Sequence, residues 1–329
     1  MDRDQFFGVM SELDQERLQK TLWNLYWRGT AKMRERIEVE LASGDRARPS
    51  RPAKAAADPE AVENDVAEFA ALARSGAYLG ADRRVSPRER SRWRFTYKRL
   101  AAEAQDALRA EDAGPAASAL EQLIDLACDT RAYDYFRSED PVAAAGFVVS
   151  DVVAVLWASV WERHGFQEFT ETAAPQLIRW ESRYGWTRHS EGAVAAKETS
   201  LALVLARMLR VRDTWERFAE QYVRALDALC DRGAPKGQVG RFDQRSDALV
   251  EWHDLLLTHL ADTEGGLLDS IATHAALGGP EQTFLAARLA HQRGHTDVAR
   301  DLVARCLRKL PGHKDFREFA AEIGAAVPP

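Results

Sequence analysis

The sequence contains few of the residues, and none of the motifs, that usually mark a reactive site. Only three cysteines occur among its 329 residues, at Cys128, Cys230 and Cys306, each within an apolar helical pattern. We interpret them as small buried hydrophobic residues, not as disulfide partners or metal ligands. Glycine-rich phosphate loops ending in Gly-Lys-Ser/Thr, HExxH, GxSxG and paired CxxC motifs are all missing. We therefore predict no catalytic residue, no metal site and no cofactor.

Long apolar runs are missing as well. No segment approaches the roughly 18 apolar residues that a membrane-spanning helix needs, and the first residues lack the pattern of a secretion signal. We expect a cytoplasmic protein without membrane partners. The net charge of −6 argues against binding of a polyanion by the whole surface, but it is compatible with a local basic patch.

Helical periodicity runs through nearly the whole sequence, and 46% hydrophobic residues are enough for a large core. Apolar residues recur at three- and four-residue steps on both sides of Gly29, which predicts an N-terminal helical hairpin over residues 1–41. Residues 42–58 are rich in Pro, Ala and Arg and have no apolar stripe, which is typical of a flexible linker. Residues 59–325 read as about a dozen helices with short Gly- and Pro-containing breaks. The predicted fold class is all-α.

The clearest helix start is at Ser86. Ser86-Pro87-Arg88-Glu89 combines a Ser at the N-cap, a Pro at the first helical position and a Glu three residues after the Ser. In such a capping box, the two side chains bond to each other's backbone N–H groups. The pattern therefore predicts that a helix begins at Pro87.

Two helix pairs share the spacing of their small and apolar residues. In the first pair these are Ala107, Ala110, Gly114, Ala119, Leu123 and Leu126, and in the second Ala287, Ala290, Gly294, Ala299, Val303 and Cys306. The second pair resembles the tetratricopeptide repeat family over about residues 280–313, because Ala299, Val303, Cys306 and Pro311 match the second-helix signature of that family. Ala290 and Val303 replace the aromatic residues of the family, and Arg131 stands where the first pair would have its Pro. The resemblance implies stacked antiparallel helix pairs in a degenerate TPR-like α-solenoid, which would bind through an exposed surface.

Two histidine pairs were considered as reactive groups. His253 and His259 lie near the carboxylates of Glu251 and Asp254, but a separation of six positions along a helix places the two imidazoles far apart in angle. We interpret them as ordinary polar, half-buried positions. A second pair consists of His291 and His295, which stand four residues apart. Gly294 lies between them and is predicted to end the helix, so we interpret that pair as solvated residues beside a turn.

The strongest compositional outlier is the basic segment 83–99. It contains eight basic residues and one acidic residue, which gives a local charge of +7 in a chain of −6. On a helical projection, the apolar residues fall on one side. Arg88, Arg92 and Arg99 fall on the opposite side, and Arg90, Arg94 and Lys98 run along one flank. The predicted binding face consists of Arg88, Arg92, Arg94, Lys98 and Arg99. Such a face is either a solvated surface paired with acids elsewhere in the chain, or a footprint for nucleic acid or an acidic partner.

Aromatic residues are concentrated in the N-terminal hairpin, where Trp23, Tyr26 and Trp27 fall within two turns. A hairpin of this size is too small to bury them alone. We therefore expect them to pack on the main body, on a second copy in a homo-oligomer, or on a partner, since rigid aromatic residues commonly anchor interfaces.

Three functions follow from these observations. The leading hypothesis is a non-enzymatic helical-repeat scaffold or adaptor that binds another protein through the basic helix and the aromatic hairpin. The alternative is a nucleic-acid-associated or regulatory protein that uses the basic helix 83–99. An enzyme with an unrecognised site is the third reading.

Overall fold

A computed structural model describes residues 14–30, 33–34, 37, 57–80, 82–130, 132–184, 192–231, 248–260 and 266–326. Within these ranges the regular structure is helical and no strand occurs, so the all-α prediction is confirmed. The chain divides into two compact units, Met1–Ala55 and Ala56–Pro329. This division falls within the segment predicted as a linker.

The first unit contains α1, which spans Gln15–Arg28. Asp14 caps its N-terminus by accepting a 2.7 Å hydrogen bond from the backbone N–H of Arg17, and the helix ends at Gly29. The second helix of the predicted hairpin lies largely outside the described residues.

The second unit contains the remaining helices, numbered in chain order. They are α2 (Pro59–Arg74), α3 (Pro87–Ala107), α4 (Gly114–Asp129), α5 (Pro141–Ala145), α6 (Val149–Tyr184), α7 (Leu201–Met208), α8 (Arg212–Asp231), α9 (Val250–Leu260), α10 (Leu267–Ala272), α11 (Gly279–Gln292), α12 (Thr296–Lys309) and α13 (Lys314–Glu322). The long α6 is interrupted at Gly165, whose φ of 83° lies in the left-handed region.

Each helix of the second unit packs mainly on those close to it in the chain. Helix α2 contacts α3 and α4, α4 contacts α6, α6 contacts α8, and α8 contacts α9. At the C-terminal end, α12 packs between α11 and α13. The apolar faces form one large core over residues 62–289 and a second cluster over residues 284–323. Burial of these apolar faces is what stabilises the helices, since isolated helices of this length are marginal in water.

The connection between α11 and α12 confirms the helix end predicted at Gly294. Helix α11 ends at Gln292, and Gly294 has a φ of 81°, a conformation that glycine adopts without strain. In α12, the predicted inward positions Ala299, Val303 and Cys306 are all buried. The Cys306 thiol donates to the carbonyl of Pro280 in α11 over 3.3 Å. Burial and the nearby Glu281 carboxylate raise its pKa to about 12, which keeps the thiol protonated.

Two local predictions are wrong. Cys128 and Cys306 are buried as expected, but Cys230 is exposed near the end of α8. His253, predicted to be half-buried, is only 3% exposed because its face of α9 packs against α8. Periodicity shows which residues share a face of a helix, but it does not show how much of that face a neighbour covers.

None of the described helices is both long and apolar enough to cross a membrane. Within the same ranges, no three His, Cys, Asp or Glu side chains are grouped in a way that could hold a metal ion.

Candidate binding surface

The candidate site is built on α3, which begins with the predicted capping box. The Glu89 carboxylate accepts a 2.8 Å hydrogen bond from the backbone N–H of Ser86, and the Ser86 hydroxyl accepts a 3.3 Å bond from the backbone N–H of Glu89. The bonds from Ser86 lower the pKa of Glu89. The only acidic residue of the segment 83–99 is therefore engaged at the cap.

The apolar face of α3 fixes which side of the helix points outward. Trp93, Tyr97, Leu100 and Ala104 are buried, as the helical projection predicts. The Tyr97 hydroxyl donates a 2.6 Å hydrogen bond to the carbonyl of Leu123 in α4. With this face anchored, α3 cannot rotate without exposing two aromatic rings and leaving a buried hydroxyl unpaired.

Trp93 also anchors α3 to the loop before α5. Its ring stacks on Phe136, with the ring centroids 4.2 Å apart. Phe136 in turn contacts Phe69 at 5.9 Å and Tyr78 at 5.5 Å. This aromatic cluster joins α2, α3 and the loop into one packed body and holds the basic helix in place.

Along the opposite side of α3 runs a straight line of exposed side chains, which we call the basic stripe: Arg88, Arg92, Phe95 and Arg99. Their spacing of four, three and four residues places them on one face, over about 17 Å of helix length. Phe95 is 55% exposed, although it is a large apolar side chain. The stripe borders a shallow groove of about 310 Å³, which Glu89 and Thr96 also line.

The arginines of the basic segment differ in their partners. Arg84 pairs with Asp82 at 2.6 Å, and Arg99 pairs with Glu103 at 2.5 Å and with Asp65 at 3.8 Å. In the part of the chain that the structure describes, the guanidinium groups of Arg88 and Arg92 have no ion pair and no hydrogen bond. Acids of the same chain therefore neutralise Arg84 and Arg99. Arg88 and Arg92, which form the first half of the stripe, have no such partner among the described residues.

Arg94 and Lys98, the other predicted binding residues, lie on the flank of α3 and not on the stripe. Both are exposed, and the Arg94 guanidinium lies 4.9 Å from the centroid of the Phe95 ring. Arg94 also faces a second cavity of about 430 Å³, on the side of α3 that meets the loop before α5. The helical projection already separates the outward stripe from this flank, and the structure adds the pocket that the flank borders.

The predicted aromatic surface lies on α1, in the first unit. The Trp23 ring stacks on those of Tyr26 and Trp27, with centroid distances of 5.7 and 5.9 Å. Trp23 is 59% exposed and Trp27 is 69% exposed, whereas Tyr26 is half-buried. A partner protein or second copy on this surface stays a prediction.

The histidines considered for catalysis occupy separate environments. His253 Nε2 lies 2.9 Å from the Tyr222 hydroxyl, and burial lowers the pKa of His253 to about 3. The His259 ring is exposed and stacks on Trp215 at 4.1 Å. Asp254 pairs with Arg288 of α11. The two imidazoles are therefore not brought together for acid and base chemistry, as their six-residue spacing predicts.

Sequence reasoning missed Phe95 and the loop residue Arg137, which lines the 430 Å³ pocket. A signal for Phe95 was present, because it lies seven residues after Arg88 and so on the same helical face. Arg137 has no such signal, since its position depends on how a loop packs against α3.

The fold and this surface define an all-helical protein with an exposed basic and aromatic helix. Comparisons with protein-family models, with curated proteins and with solved structures find no match for the chain.

Proposed function

We propose that this chain is a non-enzymatic helical-repeat adaptor that binds an acidic segment of another protein along the basic stripe. The observation that carries the proposal is the pair of unneutralised arginines Arg88 and Arg92, which lie with the exposed ring of Phe95 on the basic stripe. Unneutralised guanidinium groups bind carboxylates through paired hydrogen bonds. Arginine and aromatic residues are also the types that contribute most to binding at protein interfaces.

The short length of the charged surface favours a protein partner over nucleic acid. The stripe covers about three helical turns and is bordered by acids, since Glu103 and Asp65 both approach Arg99. The net charge of −6 adds long-range repulsion toward a polyanion. A short acidic segment that also presents an apolar side chain to Phe95 matches both the length and the chemistry of the stripe.

The proposed architecture is a degenerate TPR-like α-solenoid. It is supported by the similar placement of matching residues in two helix pairs. Ala119, Leu123 and Leu126 of α4 are buried, as are Ala299, Val303 and Cys306 of α12. The packing of each helix on near neighbours in the chain is also typical of solenoids.

Reversing the charge of the stripe tests the proposal. The ligand is a fluorescent peptide of alternating Glu, Phe and Leu residues. The double substitution Arg88→Glu and Arg92→Glu is expected to weaken binding of this peptide at least about tenfold, because each lost charged hydrogen bond contributes more than about 1 kcal/mol. Fluorescence anisotropy at low ionic strength measures the dissociation constant. A single-stranded DNA of equal charge, titrated in parallel, distinguishes the two partner classes.

The matched control replaces Arg305 and Arg308, two exposed arginines of α12, by Glu. It makes the same change in net charge far from the stripe in the chain and should leave peptide binding nearly unchanged. An equal loss in both double variants would mean that only the overall charge matters. Tighter binding of the DNA than of the peptide would favour the nucleic-acid function instead.

A further inference from the structure

A pocket beside α3 combines three arginines with three hydroxyl groups. It has a volume of about 430 Å³, and its polar lining consists of Tyr78, Arg90, Ser91, Arg94, Arg137 and Ser138. The residues come from the turn after α2, from α3 and from the loop before α5, so the fold brings together groups that are up to 60 positions apart in sequence. Cavities of about 300–1,000 Å³ are the usual size for small-molecule sites.

Two of the three guanidinium groups are held in place by backbone carbonyls. Arg137 Nε donates a 2.6 Å hydrogen bond to the carbonyl of Leu79, and Arg90 Nη1 donates a 2.9 Å bond to the carbonyl of Asp82. Each bond uses one of the five N–H donors of a guanidinium and leaves the others for a ligand. The arginines are therefore oriented without being neutralised.

Two acids that lie next to the pocket residues in the chain, Asp82 and Glu89, have other partners. The Asp82 carboxylate is bound by Arg84, whose hydrogen bonds lower the pKa of Asp82 to about 2. The Glu89 carboxylate is bound in the capping box at Ser86. Burial, with smaller contributions from Glu89 and Glu68, raises the pKa of Tyr78 to about 12, so its hydroxyl stays a neutral donor at physiological pH.

We propose that this pocket binds a small phosphorylated molecule. A phosphate group offers enough acceptor oxygens for hydrogen bonds from three guanidinium groups, whereas a single carboxylate offers only two oxygens. The volume exceeds that of a bare phosphate, and Trp93, Pro87 and Ala144 provide apolar surface in the same lining. The ligand is therefore a phosphate ester whose organic part contacts that surface.

This site and the basic stripe use different arginines, although they meet where the Arg94 guanidinium lies 4.9 Å from the centroid of the Phe95 ring. Arg90 and Arg94 project from the flank of α3, while Arg88, Arg92 and Arg99 project from the outward face. The inference therefore does not rest on the proposed protein-binding function, and each can fail without the other.

The test is calorimetric titration of the full chain with phenyl phosphate, and with benzoate as the matched carboxylate. We expect saturable binding of one phenyl phosphate and weaker binding of benzoate. Arg94→Gln and Arg137→Lys should each raise the dissociation constant of phenyl phosphate at least about tenfold. Arg137→Lys keeps the charge but removes the planar fork. The control Arg308→Gln removes one charge from α12, outside the pocket and the stripe, and should change the constant less than about twofold at moderate salt.

The proposal stands only if both pocket variants bind phenyl phosphate more weakly than the Arg308→Gln control does. Equal weakening in Arg94→Gln and Arg308→Gln would mean that only the overall charge matters and would overturn the proposal. Absence of saturable binding to the wild-type chain, or tighter binding of benzoate, would overturn it as well. Thermal unfolding identifies a variant that fails to fold. If Arg137→Lys fails to fold, the comparison of Arg94→Gln with Arg308→Gln decides, because both of these residues are exposed.

Discussion

Replacing Phe136 by alanine is expected to lower the free energy of unfolding by about 3–5 kcal/mol, the usual cost of removing a buried phenyl ring. Phe136 is only 2% exposed and fills the space between Trp93, Phe69 and Tyr78. Its loss would leave a cavity lined by three aromatic rings, in the cluster that positions α3. Chemical denaturation of the full chain measures the change.

Tyr133→Ala provides the matched control for this substitution. Tyr133 lies in the same loop, but it is 59% exposed and contacts only Tyr135 among the aromatic rings that the structure describes. Its removal should change the free energy of unfolding by less than about 0.5 kcal/mol. Similar losses in the two variants would contradict the claim that the buried aromatic cluster holds α3.

Acidification from pH 7 to pH 4 is expected to destabilise the chain by about 3 kcal/mol through His253 alone. Burial lowers the pKa of His253 from 6.5 to about 3 in the folded state. Between these values the unfolded chain binds a proton that the folded chain does not. The contribution is therefore fully present above pH 6.5 and is lost as the pH falls toward 3.

The double substitution Tyr222→Phe and His253→Leu isolates this effect, because it removes the hydrogen-bonded pair without leaving either partner alone. The other titrating groups remain, so the wild type should lose about 3 kcal/mol more than the double variant between pH 7 and pH 4. Denaturant titrations at both pH values measure this difference. Identical losses of the free energy of unfolding in the wild type and the double variant would mean that His253 is protonated at pH 4 in the folded state.

Much of α3 could be predicted from the sequence because the interactions that form it are local. The capping box depends on residues three positions apart, and the buried face of Trp93 and Tyr97 follows from helical spacing. The all-α class likewise follows from periodicity along the chain. Local patterns of this kind do not depend on how the helices are placed in space.

The partners of the individual arginines could not be predicted in this way. Arg99 meets Asp65 of α2, and Arg137 reaches the carbonyl of Leu79, 58 residues away. Such contacts depend on how distant helices pack, and a basic segment has the same composition whether or not acids lie opposite it. For the same reason, the helical projection separates the stripe from the flank of α3 but does not reveal the pocket that the flank borders.

The most direct test of the proposed function is photo-crosslinking from the stripe itself. A chain with a photoreactive phenylalanine analogue in place of Phe95 is irradiated in an extract of its source cell, and the adducts are identified by mass spectrometry. We expect an adduct with an acidic protein segment, which should be lost when Arg88 and Arg92 are also replaced by Glu. Adducts with nucleic acid, or protein adducts that persist after the charge reversal, would contradict the account.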